Sequence, residues 1–250
     1  MYALITGASS GIGKEMAIQL AEKDVNLILV ARRHERLLDL QKTIQKTHPV
    51  NVIVYPIDLT NEPSLYALHK SCQNYDVRIV VNCAGFGKMG LFLDTPLEEE
   101  LDMIKTNVTA VHILTKLFAD SMQRGVILNV ASIAAFAPVP LLSAYGATKA
   151  YVQSLSRAVN YELKKSGKNV RVTTLCPGPV DTEFNAVAHG GFKIPGMPPK
   201  KCAKYAVDGI FHKKELILPG FVPKAMHILS RITPTALQLP IEYFIESCKK

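Results

Sequence analysis

The chain has 250 residues, 48% of them hydrophobic and 20% charged, enough to bury a large core in one globular domain, with two small domains as the alternative. No run reaches the roughly eighteen apolar residues that a bilayer span needs, and the first apolar segment starts at Tyr2 behind no basic leader, so a soluble, cytoplasmic protein is expected. The net charge of +8 is uneven, with 10 basic and 4 acidic residues from Lys193 onward against 19 and 17 before it. That excess reads first as solvated surface, and second as attraction for an anionic substrate carrier or weak peripheral contact of the basic C-terminal tail with an acidic membrane. Nucleic acid is not expected as a partner, because no basic run is interleaved with stacking aromatics. Five widely spaced cysteines without C-x-x-C, and seven histidines without H-x-x-x-H, offer neither a disulfide framework nor a metal site.

Short Val-, Ile- and Leu-rich runs alternate with longer segments of helical period, which predicts βαβ units around a buried parallel sheet. Strands are expected at 2–6, 25–31, 51–57, 77–82, 125–131, 170–176 and 215–219. Ile12, Met16, Ile18, Leu20 and Ala21 give the first intervening helix its apolar face, and Leu37, Leu38, Leu40 and Ile44 the second. The fold class is therefore α/β, one doubly wound sheet of about seven strands with helices on both faces and no repeats.

Two segments break the rhythm. Residues 184–200 hold three glycines and three prolines between a strand and a helical pattern, and are expected to form a mobile lid. The tail, 221–250, is apolar at helical spacing but interrupted by Pro234 and Pro240, which excludes one long helix.

The first strand runs straight into "TGASSGIGK", the opening of the first helix. Gly7 lets the chain turn sharply, and Gly11 or Gly13 lets backbone approach a pyrophosphate or pack on the strand, while free N–H groups and the positive helix end face the anion. At the end of the second strand an NAD site places a carboxylate against the adenosine ribose. This chain has Arg32 and Arg33 there, which suit a 2′-phosphate and favour NADP(H).

Three tyrosines have a lysine four residues later: Tyr66 with Lys70, Tyr145 with Lys149, and Tyr161 with Lys165. Ligands of an open parallel sheet sit outside the carboxyl ends of its strands, where each crossover helix begins. Tyr145 falls in a first helical turn, with Ser143 as expected N-cap. Tyr161 lies sixteen residues on, roughly 24 Å away at 1.5 Å per residue, and Tyr66 follows the third strand, so both read as scaffold. Ser132 ends the fifth strand and completes a cluster in which Lys149 and the helix end are expected to stabilise the Tyr145 phenolate, while Ser132 holds a substrate oxygen.

"TGASSGIG", "NCAG", Asn107 in "IKTNVTAVH", "NVAS", "YGATK" and "PGPVDTEF" stand in the order and spacing of the short-chain dehydrogenase/reductase family, which the chain resembles over nearly its full length. The resemblance implies a single Rossmann domain over 1–250 and a catalytic tetrad of Asn107, Ser132, Tyr145 and Lys149. In it Asn107 holds a water that relays protons to Lys149, which also bonds the nicotinamide ribose. It further implies cofactor contacts from Gly7, Ser9, Ser10, Gly11, Ile12 and Gly13, from Asp58 and Leu59 at the adenine, from Asn82, Ala84 and Gly85 along the cleft, and from Pro177, Gly178, Val180 and Thr182 beside the nicotinamide. Cys83 departs from the family's usual second asparagine, which puts local sheet bonding in question. The expected activity is hydride transfer between NADP(H) and a carbonyl/alcohol pair, in a homodimer or homotetramer. A redox-inactive NADP(H)-binding sensor or interaction protein of the same fold is the alternative. Phe86, Met89, Leu91, Phe92 and Phe192 suggest an apolar substrate, a 3-oxoacyl thioester or steroid-like ketone.

Overall fold

Strands that carry no polar face need cover on both sides, and a parallel sheet wrapped by crossover helices supplies it. The computed structural model describes residues 1–184, 188 and 196–247. Its strands are β1 (Tyr2–Thr6), β2 (Asn26–Ala31), β3 (Val52–Pro56), β4 (Val77–Asn82), β5 (Arg124–Val130), β6 (Asn169–Leu175) and β7 (Leu216–Ile217). They form one parallel sheet in the order β3-β2-β1-β4-β5-β6-β7. The helices are α1 (Gly11–Ala21), α2 (His34–Thr47), α3 (Glu62–Cys72), α4 (Leu97–Ile104), α5 (Ala110–Ser121), α6 (Ser143–Lys165), α7 (Pro199–Phe211), α8 (Phe221–Ile232) and α9 (Thr235–Ser247). A π-helical turn, Lys105–Thr109, joins α4 to α5.

Alternate strand residues enter two cores. Ile5, Leu27, Leu29, Val81 and Leu128 pack with Met16, Leu37, Ile44 and Val207 of α1, α2 and α7. Leu4, Ile28, Val80 and Ile127 pack with Leu65, Leu114 and Phe118 of α3 and α5. The winding reverses between β1 and β4, and a switch of that kind opens a crevice beyond the strand ends.

Several boundaries differ from the sequence expectation. Ser143 is already helical, and the N-cap is Leu142, with no side-chain cap. Pro234 separates α8 from α9, but Pro240 lies inside α9. The prolyl ring is tolerated there within a helix whose other face is open to solvent, so the missing N–H ends nothing. Of the expected lid, Phe184, Ala188 and Gly196–Lys200 fall within the described residues, and the rest, with Phe192, falls outside them. Met197 bridges back to Val180, and Gly196 N donates to Asp181 Oδ1 at 2.8 Å. The Cys83 departure costs no pairing: β1 stays in register with β4 through Asn82, and Cys83 N donates to Thr6 Oγ1 at 3.1 Å.

Gly7 turns at φ 69°, and a Cβ there would lie 2.8 Å from Ala84 Cα. Gly7→Ala should therefore cost on the order of 1–3 kcal/mol, read as a melting temperature lower by several degrees. An unchanged melting temperature would show that the turn relaxes without cost.

Candidate active site

The crevice at the β1/β4 switch point opens into a cleft of about 1260 Å³ that runs from the ends of β2 and β3 to α8 and α9. Gly7, Ser9, Ser10, Gly11, Ile12 and Gly13 line it at the start of α1, where the helix brings unpaired N–H groups and a positive end. Gly13 makes this possible by packing: its missing Cβ would stand 2.5 Å from the Gly7 carbonyl oxygen. Arg32, Arg33, Asp58 and Leu59 line the β2/β3 end, Ala84 and Gly85 the middle, and Ser132, Tyr145, Lys149, Pro177, Gly178, Val180 and Thr182 the far end.

Two expected residues stand outside the lining. Asn82 points into the sheet's helical cover, with Nδ2 donating to Asn129 Oδ1 at 2.8 Å, because strand alternation turns it away from the cleft. Asn107, fully buried on the π-helical turn, meets both backbone groups of one residue: its Oδ1 accepts from Phe86 N at 3.1 Å and its Nδ2 donates to Phe86 O at 2.9 Å. Nδ2 also donates to Thr148 Oγ1 at 3.1 Å. The Asn107 side chain thus fixes the loop that carries Gly85 and Phe86, and it reaches α6 one residue before Lys149.

Tyr145, Ser132 and Lys149 come together, each buried. Ser132 lies close enough to lower the Tyr145 phenol, and the Lys149 ammonium donates to Val130 O at 2.9 Å while lying 5.7 Å from the Tyr145 ring centroid. The electrostatics differ from the expected stabilised phenolate. Burial pushes the Tyr145 phenol up to about 12, against the opposing Ser132 hydrogen bond, and burial also lowers the Lys149 ammonium to about 8. Desolvation is the largest cause in each and penalises both charged forms, so at neutral pH the tyrosine carries its proton. The other two pairs are scaffold by geometry: Tyr66 and Tyr161 are exposed, and Lys165 lies over the Tyr161 ring at the solvent end of α6.

At the β2 end the two arginines part company. Arg33 donates to Ser9 Oγ at 2.9 Å, to Ser10 Oγ at 2.9 Å and to Glu183 Oε2 at 2.7 Å, and Arg36 pairs with the same carboxylate. Arg36 and then Arg33 hold Glu183 down to about 2. Arg32 instead faces Asp58, where burial raises the carboxyl but the Thr60 hydrogen bonds and the Arg32 charge outweigh it, leaving a net depression. Glu183 and Arg36 escaped sequence reading because their partners lie about 150 positions apart; the only local signal was an acid inside "PGPVDTEF" with no basic neighbour. The glycine cradle, the anchored arginine and the uninterrupted cleft fit a dinucleotide with an adenosine 2′-phosphate.

Around Tyr145 the wall is apolar, with Phe86, Phe136, Val139, Leu142 and Phe184, and α9 adds the polar Gln238, Glu242 and Glu246 farther out. Phe184 packs on the Tyr145 ring at a centroid distance of 5.2 Å, in space left by Gly87. Of the five apolar residues expected around substrate, Phe86 lines the cleft, Met89 is buried behind it in the core with Tyr145, and Leu91 and Phe92 are exposed outside it. Phe192 lies outside the described residues.

The short chain dehydrogenase family model matches residues 1–190, and the chain belongs to the short-chain dehydrogenase/reductase family. It is 34% identical over 183 residues to a very-long-chain 3-oxoacyl-CoA reductase of Eremothecium gossypii, covering 68% of this chain and 52% of that protein. It is 32% identical over 194 residues to hydroxysteroid dehydrogenase-like protein 1 of Gallus gallus, covering 73% and 56%. The matched region thus spans about half the length of these relatives. Among solved structures, a short-chain dehydrogenase from Sphingobium yanoikuyae in complex with NADPH superposes with a TM-score of 0.82 at 30% identity, covering 94% of this chain and 97% of that one.

The buried lysine carries a pH signature. Between about 8 and the ordinary value of 10.5 the unfolded chain holds a proton that the folded chain has released, so Lys149 makes stability rise with pH in that window. Tyr145 acts oppositely above its ordinary 10.0, where the unfolded phenol ionises first. Urea unfolding should therefore show the wild type gaining on Lys149→Met from pH 8 to 10; a constant difference between them would contradict the burial argument.

Proposed function

We propose that the protein is an NADP(H)-dependent oxidoreductase that interconverts a carbonyl and a secondary alcohol, with Tyr145 as general acid/base. The observation that carries this reading is the buried Tyr145, which lines the cleft together with Ser132 and Lys149 where the wall around it becomes apolar. The cofactor, held along the glycine turn and by Arg33, would supply the hydride. Ser132 then holds the substrate oxygen, and the neutral Tyr145 phenol gives it the proton as charge builds there. Lys149, still mainly an ammonium at neutral pH, steadies the phenolate left behind.

The apolar far end supports a 3-oxoacyl thioester or a steroid-like ketone, chemistry that the names of the two relatives also carry. The same family likeness supports assembly as a homodimer or homotetramer. The test is a panel of such carbonyl compounds followed by NADPH absorbance. Tyr145→Phe should lower kcat by roughly 10²–10⁴-fold with NADPH binding retained, while Tyr66→Phe and Tyr161→Phe leave the rate alone. Turnover preserved in Tyr145→Phe would reject the assigned role.

Cofactor choice has its own test. Glu183 occupies the guanidinium that a 2′-phosphate would use, so the carboxylate and the phosphate compete. Arg33→Ala should weaken NADPH far more than NADH, with Arg32→Ala acting less. Glu183→Gln should tighten NADPH by up to roughly fivefold, the range of an exposed ion pair, and leave NADH unchanged. Equal effects on the two cofactors in titration calorimetry would refute the phosphate site.

A further inference from the structure

Helix α9 is built inside out. Gln238, Glu242 and Glu246, spaced four residues apart, line the cleft, with Gln238 and Glu246 buried, while Leu237, Tyr243 and Phe244 face outward. On α8 the outward residues include Phe221 at 82% exposure, Ile232 at 73% and Ile228 at 61%. Five apolar residues, Phe221, Val222, Leu229, Ile241 and Ile245, both line the cleft and remain exposed, so apolar surface runs from the cleft wall, beside that polar row, onto the outer face. A contiguous apolar surface of this kind marks a contact site.

The charges name the partner. Over 221–247 the acidic residues are Glu242 and Glu246, and both line the cleft. Lys224 and Arg231 are exposed on α8, and Arg157 of α6 is exposed close enough that, after burial, its charge and that of Arg231 depress His227. The outer face therefore offers hydrocarbon flanked by cations. Across a two-fold axis the same face of a second copy would have to answer these cations, and the carboxylates of 221–247 line the cleft instead. An anionic lipid surface answers them with phosphates and takes the apolar residues into its acyl boundary. Among the described residues no helix is long and apolar enough to cross a membrane, which leaves contact with one leaflet.

We propose that α8 and α9 dock the protein on an anionic bilayer with the apolar end of the cleft opening toward the lipid, so that an apolar substrate enters from the acyl region. The route of entry rests on the apolar-carbonyl reading above; the docking does not, and vesicle binding is read without turnover, so the two fail separately. The experiment is flotation of the full chain with phosphatidylcholine vesicles and with mixed phosphatidylcholine–phosphatidylglycerol vesicles, alongside light-scattering mass. Binding to the mixed vesicles should exceed that to the neutral ones by roughly twenty-five-fold or more, about fivefold for each of the two cations, and fall in high salt. Lys224→Gln with Arg231→Gln should weaken it by roughly twenty-five-fold, about fivefold per charge. Ile228→Ser, Ile232→Ser and Phe244→Ser, at exposed positions outside the cleft lining, should together weaken it by tenfold or more, roughly as apolar burial requires, with an unchanged melting temperature. Equal binding to both vesicle types, or none to either, overturns the proposal. So does a triple serine variant that changes the mass in solution while leaving vesicle binding intact, which would assign the face to a second copy.

Discussion

The site depends on the register of α6 against the sheet. Three polar ties hold it over the helix's length: the Lys149 ammonium on Val130 O at 2.9 Å, Ser156 Oγ accepting from Asn129 Nδ2 at 2.9 Å, and Asn160 Oδ1 accepting from Val172 N at 2.9 Å. Apolar packing alone would tolerate a small slide or rotation of a helix on a sheet, since dispersion is not directional. Buried hydrogen bonds do not, because each shifted partner would be left unsatisfied at a cost of about 1–3 kcal/mol. The first of these ties also belongs to the reactive cluster, so the scaffold and the chemistry share an atom.

That sharing explains the electrostatic character of the site. Ser132, Tyr145 and Lys149 can meet only where the ends of β5 and α6 close together, and closing them removes water. Burial then raises the phenol and lowers the ammonium, against the stabilised phenolate expected from residue types alone. The site holds a neutral acid over a weakened cation. Asn107 contributes from behind, fixing the Phe86 peptide and Thr148 so that the loop and the helix keep their spacing. A Cβ on Gly85 would come within 2.9 Å of Asn107 Oδ1 and 3.2 Å of Lys149 Nζ, which shows how little slack that spacing leaves.

The strands were legible because a buried parallel sheet writes itself as short unbroken apolar runs, and all seven expected strands occur within a few residues of their bounds. The strand-end and helix-start positions of Ser132 and Tyr145 followed from that topology. What failed needed three dimensions. Asn82 lies in the recognised "NCAG" turn yet faces inward, because the last strand residue still alternates. Arg32 and Arg33 are indistinguishable in sequence, and only the path into α2 sends one to Ser9 and Ser10 and the other to Asp58. The phenol's direction of shift was misjudged because charge type can be read from letters whereas desolvation cannot. Leu91 and Phe92, placed near substrate for their hydrophobicity, sit on the outside of the loop.

The tail inverts the usual relation between pattern and burial. Helical periodicity identifies an apolar stripe but not which way it faces, and the default assumption points it at the core. In α9 the core-facing row is Gln238, Glu242 and Glu246, and the larger apolar side chains are left outside. Gln238 meets its burial by donating to Ser230 O and Thr233 O, but leaving the apolar residues in water costs free energy. The helix becomes consistent once its outer surroundings are themselves apolar. The same two helices wall the end of the cleft and carry Phe221, Val222, Leu229, Ile241 and Ile245 into its lining beside that polar row, so the surface that needs cover and the opening through which an apolar substrate must pass adjoin. Covering the first with lipid spares the second the cost of drawing such a substrate through water.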